Sequence, residues 1–154
     1  MKNQLIELKI DKLKNANLIF GIMKEDAKGK EHLPVGKLHG SIGYSMNGGR
    51  VWHNGDSIET EEFKYSAGDT VACSIHHIDH GNRNLIVCCF YKNGVYTDSA
   101  RILSDGIYYP TISVWCEDHD SNDENKEVAL EVTPALNPTE PLFEASGIPC
   151  TFVP

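Results

Sequence analysis

The residues of this chain best suited to binding a metal ion lie in a short cluster of histidine, cysteine and aspartate between Cys73 and His80. Thiolate, imidazole and carboxylate groups are ligands that Zn²⁺ takes in a tetrahedral set. In an extended segment, however, successive side chains point to opposite faces, so Cys73 and His76 lie on different sides. Residues 79–84 are expected to form a hairpin turn with solvated histidines. We therefore predict no metal site, with His76, His77 and His80 as weak candidates only.

A second cluster is the acidic stretch from Asp118 to Glu124. A calcium-binding EF-hand loop that began at Asp118 would need glycine at its sixth position and glutamate at its twelfth. Those positions hold Asp123 and Ala129, and no helices flank the stretch. The pattern instead predicts a solvated acidic loop, with Asp118 close enough to a neighbouring site to favour basic peptides.

Motifs for catalysis are missing from the sequence. No G-x-S-x-G nucleophile motif occurs, and Gly48-Gly49 is too short for a phosphate-binding loop and is not followed by a helix. The neighbouring carboxylates Glu61 and Glu62 would face opposite sides of an extended segment. We predict a protein that is not an enzyme and needs no cofactor.

Two tryptophans, Trp52 and Trp115, are the only ones in the chain. Binding hot spots are enriched in Trp, Tyr and Arg, and Arg50 lies two residues before Trp52. The hypothesis is that Trp52 and Trp115 line one pocket, while Arg50 pairs with an acidic ligand. Core packing of each ring, and a solvated Arg50 at a strand end, are the alternatives.

The elements that must position these residues are short strands. Ile6, Leu8 and Ile10 alternate with charged residues, the run 18–23 predicts a buried strand, and Asn93-Gly94 favours a type I′ hairpin turn. Further strands are predicted at 41–46, 50–53, 69–75, 85–91, 108–116 and 128–132. Many strands without crossover helices predict an all-β fold, an antiparallel sandwich or barrel.

Composition limits the partners and the compartment. The chain has 154 residues, with 22 acidic against 14 basic residues and a net charge of −8, which disfavours nucleic acid. No apolar run is long enough to span a membrane, and residues 1–7 do not resemble a signal peptide. Five cysteines, an odd number, predict reduced thiols and a cytoplasmic protein, with a nuclear location as the alternative.

The domain is predicted to cover residues 1–133. Five prolines follow from Pro134 onwards, and proline blocks the hydrogen bonds of a β-ladder. Residues 134–154 are therefore expected to form a proline-rich tail that is packed on the surface or mobile.

Several motifs occur in a fixed order along the chain. They are Ser41-Ile-Gly-Tyr44, Gly68-Asp-Thr-Val-Ala-Cys73, Phe90-Tyr-Lys-Asn-Gly94 and Tyr108-Tyr-Pro-Thr-Ile-Ser113. Together they resemble the SPRY domain family over roughly residues 5–133. The resemblance implies a bent antiparallel β-sandwich of two sheets, of the concanavalin-type jelly-roll kind. It also implies a non-catalytic module that binds short peptide segments of partner proteins in a pocket formed by loops at one end.

The pocket segments are most similar to those of SOCS-box-associated SPRY proteins and of Ran-binding-protein-type SPRY domains. The first have an Arg-Leu-Tyr-His-Asp-Gly segment where this chain has residues 50–55. They also have a Tyr-Pro-x-x-Ser-x-Val-Trp segment where it has Tyr109 to Trp115. The similarity implies a peptide site at Arg50, Trp52, Tyr109 and Trp115, and a role as adaptor or scaffold, including within ubiquitin-ligase complexes. A carbohydrate-binding sandwich and a purely structural module are the alternative functions.

Overall fold

Two β-sheets stack face to face in the computed structural model, which describes residues 4–24, 35–37, 39–58, 63–81, 83–103, 108–115, 127–134 and 150–153. The first sheet has the strand order β10-β1-β6-β7-β8, and the second has the order β11-β9-β2-β3-β4-β5. In chain order the strands are β1 (Gln4–Lys14), β2 (Asn17–Lys24), β3 (Ser41–Ser45), β4 (Val51–His53), β5 (Asp56–Ile58), β6 (Thr70–His80), β7 (Arg83–Lys92), β8 (Val95–Leu103), β9 (Tyr108–Trp115), β10 (Glu127–Pro134) and β11 (Cys150–Val153).

All strand pairs are antiparallel except β11, which runs parallel to β9. The described residues contain no α-helix, only a 3₁₀ turn at Asn47–Gly49. The predicted all-β, two-sheet sandwich is confirmed.

Alternation along the strands builds the core. Ile6, Leu8 and Ile10 are at most 1% exposed, whereas Glu7 and Lys9 between them are exposed. Full burial of each such aliphatic side chain stabilises the fold by about 1.5–3 kcal/mol. An aromatic cluster links the sheets, since the Phe20 and Phe90 rings lie 6.5 Å apart edge to face and the Tyr44 ring lies 5.6 Å from Phe90.

Strand β2 is buried on both faces, as its unbroken apolar run predicts. One face contributes to the core between the sheets. On the outer face, Ile19 and Met23 pack with Val35 and the half-buried Trp52 in a second cluster. The outer face of the second sheet is therefore covered in part by the segment Val35–Lys37.

The predicted boundaries were wrong at one hairpin and incomplete elsewhere. Strand β6 continues to His80 and pairs there with Arg83, so the two strands extend into the stretch 79–84 that was predicted as a turn. Gly81 supplies the positive φ of +65° that such a tight turn requires. Strands β5, β8 and β11 were not predicted from the sequence. The last of these joins the edge of β9, within the stretch that was predicted to be a tail.

Candidate functional site

Trp52 lies in the middle of β4 on the outer face of the second sheet, opposite Gly43 of β3. Its ring is half-buried and packs against Ile19, Met23 and Val35. The core-packing alternative for this ring therefore holds in part, because one side rests on apolar neighbours. The rest of the ring remains accessible at the surface.

Two cationic side chains approach that ring. The Lys37 ammonium lies 4.9 Å from the ring centroid, and the Arg50 guanidinium carbon lies 6.0 Å from it. Each such contact contributes about 0.5–1 kcal/mol at a partly exposed site. We call this group of Lys37, Arg50 and Trp52 the Trp52 patch. It concentrates positive charge on a chain with a net charge of −8.

Backbone hydrogen bonds hold Lys37 over Trp52. The Val35 N–H donates to Ser113 Oγ at 3.0 Å, and the Gly36 N–H donates to Ser41 Oγ at 2.7 Å. The Gly36 carbonyl in turn accepts the N–H of Gly55 at 2.9 Å. Side chains of the second sheet thus fix the Val35–Lys37 segment, although it belongs to no strand.

Close approach also excludes larger residues beneath this segment. A Cβ at Gly43 would lie 2.8 Å from the Val35 carbonyl oxygen and 2.4 Å from an Ile19 methyl group. Gly43, which belongs to the Ser41-Ile-Gly-Tyr motif, is therefore the residue that lets the segment pack onto β3.

Arg50 follows the Asn47–Gly49 turn at the end of the sandwich where β2 begins. Its carbonyl accepts the Ser45 N–H at 2.7 Å, which closes the connection from β3 to β4. Gly48 has a φ of +75°, and a Cβ there would lie 3.1 Å from Arg50 Nε. The glycine turn thus leaves room for the guanidinium to fold back towards Trp52.

A cleft of about 270 Å³ lies at the same end of the sandwich. It is bounded by the start of β2, by the residues that follow β3 and by the segment that precedes β6. Its lining residues are Asn17, Met46, Asn47, Lys64, Tyr65 and Ser66. Arg50 is three residues beyond Asn47 in the chain, so the cleft and the Trp52 patch meet at one turn.

Tyr65 anchors the wall of the cleft. Its hydroxyl donates to the Tyr44 carbonyl at 2.6 Å and lies 3.1 Å from the Leu18 carbonyl oxygen. The Tyr44 hydroxyl donates to the Phe63 carbonyl, so Tyr65 bonds to β3 and Tyr44 of β3 bonds to the segment that carries Tyr65. Burial raises the pKa of both phenols, and both remain neutral donors at physiological pH. The cleft is therefore preformed.

His53 lies directly after Trp52 and faces the hairpin between β4 and β5. Its Nε2 is 3.2 Å from Asn54 Nδ2, and the Asn54 Oδ1 accepts the Gly40 N–H at 2.7 Å. Burial lowers the pKa of His53, the nearby charge of Asp56 opposes that shift, and His39 adds to it.

The other predicted site residues have different settings. Tyr109 is 5% exposed and pairs with Met23, so little of its surface is accessible. Asp118 lies outside the described residues. Trp115 pairs with Asn17, at the cleft end of β2.

Strand register separates the two tryptophans. Trp52, Gly43, Gly21 and Thr111 form one row across four strands, and Trp115 lies four residues beyond Thr111. With strand spacings near 4.8 Å and a rise near 3.3 Å per residue, their Cα atoms are about 19 Å apart. A pocket that holds one residue is too small to reach both tryptophans, whereas an extended peptide segment of about six residues is long enough to do so.

The weak metal candidates lie in β6. His76 is half-buried with its Nε2 2.9 Å from Ser74 Oγ, while its neighbour His77 faces the core, opposite Ile86. The alternation that places Cys73 and Ile75 on one face and His76 on the other is confirmed. Within the described ranges, no group of three His, Cys, Asp or Glu residues could hold a metal ion.

None of the residues that line the cleft was predicted as a site residue, and neither was Lys37, which covers Trp52. Asn17 offered a signal, because a polar residue directly before an unbroken apolar strand marks a strand end. The local sequence gave no signal for Lys37, because a contact between residues far apart in the chain brings it to Trp52.

Comparison with known proteins gives one family. The family model of the SPRY domain matches residues 6–124 of this chain. A search of curated proteins finds no match. Among solved structures, a human SPRY domain is 19% identical with a TM-score of 0.54, and the alignment covers 72% of this chain and 68% of that one. That likeness concerns the fold. No helix in the described part of the chain is long and apolar enough to cross a membrane.

Proposed function

The chain belongs to the SPRY domain family, whose members are non-catalytic protein-interaction modules, and we propose that it binds a short peptide segment of a partner protein at the Trp52 patch. The segment would continue from the patch towards the cleft end of the sandwich. The family resemblance supports the class of partner, and the geometry of the patch supports the place.

The observation that carries the proposal is that the Trp52 ring is half-buried and that two cationic side chains, Lys37 and Arg50, lie beside it. Aromatic and arginine side chains in preformed settings are the residues on which binding energy concentrates. The ring is fixed by its apolar neighbours, so a ligand would not have to order it.

Charge gives the proposed segment a chemical character. Lys37 and Arg50 favour a carboxylate next to an apolar or aromatic side chain that rests against Trp52. The preference for basic peptides predicted from Asp118 concerns residues outside the described structure. We therefore propose an acidic residue at the Trp52 patch.

We propose that Trp115 and Tyr109 contribute less to binding than Trp52 does. The backbone of Trp115 lies in the row of Asn17, so a segment of about six residues that begins at Trp52 would end near this position of β9. Tyr109, being buried, would support the site through β2 rather than touch the segment.

The carbohydrate alternative is less well supported. A neutral sugar has no charge to pair with the two cations at the Trp52 ring, whereas a peptide carboxylate is attracted to both of them. We propose that the protein acts as an adaptor or scaffold in the cytoplasm, with recruitment into a ubiquitin-ligase complex as one form of that role.

A peptide array tests the proposal. The array holds ten-residue peptides in which one acidic and one aromatic position are varied, and it is probed with the purified chain. We expect a retained set that contains both residue types, lost with Trp52→Ala and kept with Leu103→Ser, a change at a 50%-exposed residue on β8 of the other sheet. Equal retention by both variants would place the binding elsewhere.

A further inference from the structure

Asn17 presents a hydrogen-bond acceptor that has no partner among the residues that the structure describes. Its side chain is 6% exposed and lines the cleft, and its Oδ1 is buried without a hydrogen bond to any of those residues. Most buried polar atoms in folded proteins are paired, because an unpaired buried acceptor has lost its hydration and gained nothing. Because the Asn17 side chain lines the cleft, a turn of its amide would present this buried acceptor to a donor that enters from outside.

The surroundings of Asn17 restrict which donor fits. Lys64 lines the same cleft, and its ammonium repels a second cation such as a lysine or arginine side chain. Met46 and Tyr65 add apolar surface, which favours a donor that is not charged. The volume, about 270 Å³, is below the usual range for small-molecule sites and suits one or two residues of a peptide.

We propose that the cleft is a main-chain subsite, in which a backbone amide of the partner segment donates its N–H to Asn17 Oδ1. The adjoining carbonyl of the segment then faces Lys64. The inference rests on the proposed function and adds to it the chemistry by which the far end of the segment is recognised. Because it concerns main-chain groups, the subsite contributes affinity for many sequences, while the Trp52 patch selects the side chain.

The test uses a minimal amide, N-acetylglycine N-methylamide, titrated into the ¹⁵N-labelled full chain with ethylammonium as the cationic comparison. We expect saturable shifts of the backbone amide signals of Met46, Asn47 and Ser66 with the amide probe and none with ethylammonium. Asn17→Leu, which keeps the shape but removes the acceptor, should weaken the amide probe at least tenfold. The same variant should raise Tm by about 2–4 °C, because it removes an unpaired polar atom.

The opposite signs of these two effects make the outcome decisive. Weaker binding together with a lower Tm would mean that Asn17 has a structural partner, and unchanged binding would mean that the cleft takes no amide; either result overturns the inference. If Asn17→Leu fails to fold, Asn17→Asp decides. That variant should still bind the amide and should also bind ethylammonium, and loss of the amide would overturn the inference.

Failure of this subsite is distinguishable from failure of the proposed function. An array peptide retained by the chain and lost with Trp52→Ala, but bound equally by Asn17→Leu, would leave the Trp52 patch in place and remove the subsite. Retention that is lost with Asn17→Leu and unaffected by Trp52→Ala would do the reverse.

Discussion

The side-chain amide of Asn93 donates to Asp69 Oδ1 at 2.9 Å, which joins the hairpin between β7 and β8 to the segment that forms the cleft wall. The other carboxylate oxygen of Asp69 accepts the Ser66 N–H at 2.9 Å, and Asn93 Oδ1 accepts the Thr70 N–H at 2.9 Å. The Ser66 bond is typical of an aspartate at a turn, whose carboxylate accepts a nearby backbone N–H.

Asp69→Ala is expected to loosen the cleft wall. It removes two hydrogen bonds at an exposed site, so we expect the free energy of unfolding to fall by about 1 kcal/mol in a urea titration. Asp98→Ala is the matched control, because Asp98 bonds only to its neighbour Ser99 N–H among the contacts described. A control that loses as much stability as Asp69→Ala would show that loss of charge alone accounts for the effect.

Tyr65→Phe removes the hydroxyl that bridges β2 and β3. The carbonyls of Leu18 and Tyr44 lose a buried donor, which should lower the free energy of unfolding by about 1–2 kcal/mol. Tyr96→Phe, whose hydroxyl bonds to Ser99 Oγ at an exposed site, should change it by less than about 0.5 kcal/mol. Equal losses in the two variants, measured by urea unfolding, would contradict the bridging role.

Gly21→Ala tests how closely β2 and β3 pack. A Cβ at Gly21 would lie 1.8 Å from the Ile42 carbonyl oxygen, so the backbone must shift, and we expect a loss of at least about 3 kcal/mol or failure to fold. Gly94→Ala meets no atom within 4 Å and suffers only from its φ of +82°, at a cost of about 1 kcal/mol. The measurement is Tm by circular dichroism, and a Gly21→Ala variant as stable as Gly94→Ala would refute this packing.

His53 should make the fold less stable in mild acid. Burial lowers the pKa of His53 in the folded state. Below a pH of about 6.5, the unfolded chain therefore binds a proton at His53 more readily than the folded chain does. The free energy of unfolding therefore decreases as the pH is lowered through this range. His53→Gln should show a shallower fall between about pH 7.5 and 5.5. Identical slopes for the two proteins would mean that His53 does not contribute.

Local pattern sufficed for the strands whose side chains alternate or form an unbroken apolar run. β1 alternates because one of its faces is solvated, and β2 is apolar throughout because both of its faces are covered. β8 was not predicted because it is an edge strand whose residues are mostly exposed or half-buried. Its sequence therefore shows no alternation of apolar and polar side chains. β5 has only three residues, too few for a period to show.

The candidate site was predictable only in part for the same reason. Arg50 and Trp52 are two residues apart, so sequence alone placed them together. Lys37 reaches Trp52 because Val35 bonds to Ser113, which is 78 residues away in the chain. Register across β4, β3, β2 and β9 sets the distance between the two tryptophans, and no local motif encodes it.

The most direct test of the central claim is the affinity of an array-selected acidic peptide for the double variant Lys37→Gln/Arg50→Gln. Both changes leave the apolar packing of Trp52 intact. We expect Kd by calorimetry to rise at least tenfold at low salt, with a smaller salt dependence than for the unmodified chain. Lys12→Gln/Arg101→Gln removes the same charge from exposed positions on the other sheet and should leave Kd unchanged within about twofold. Equal affinities for the two double variants would contradict the assignment of the Trp52 patch as the peptide site.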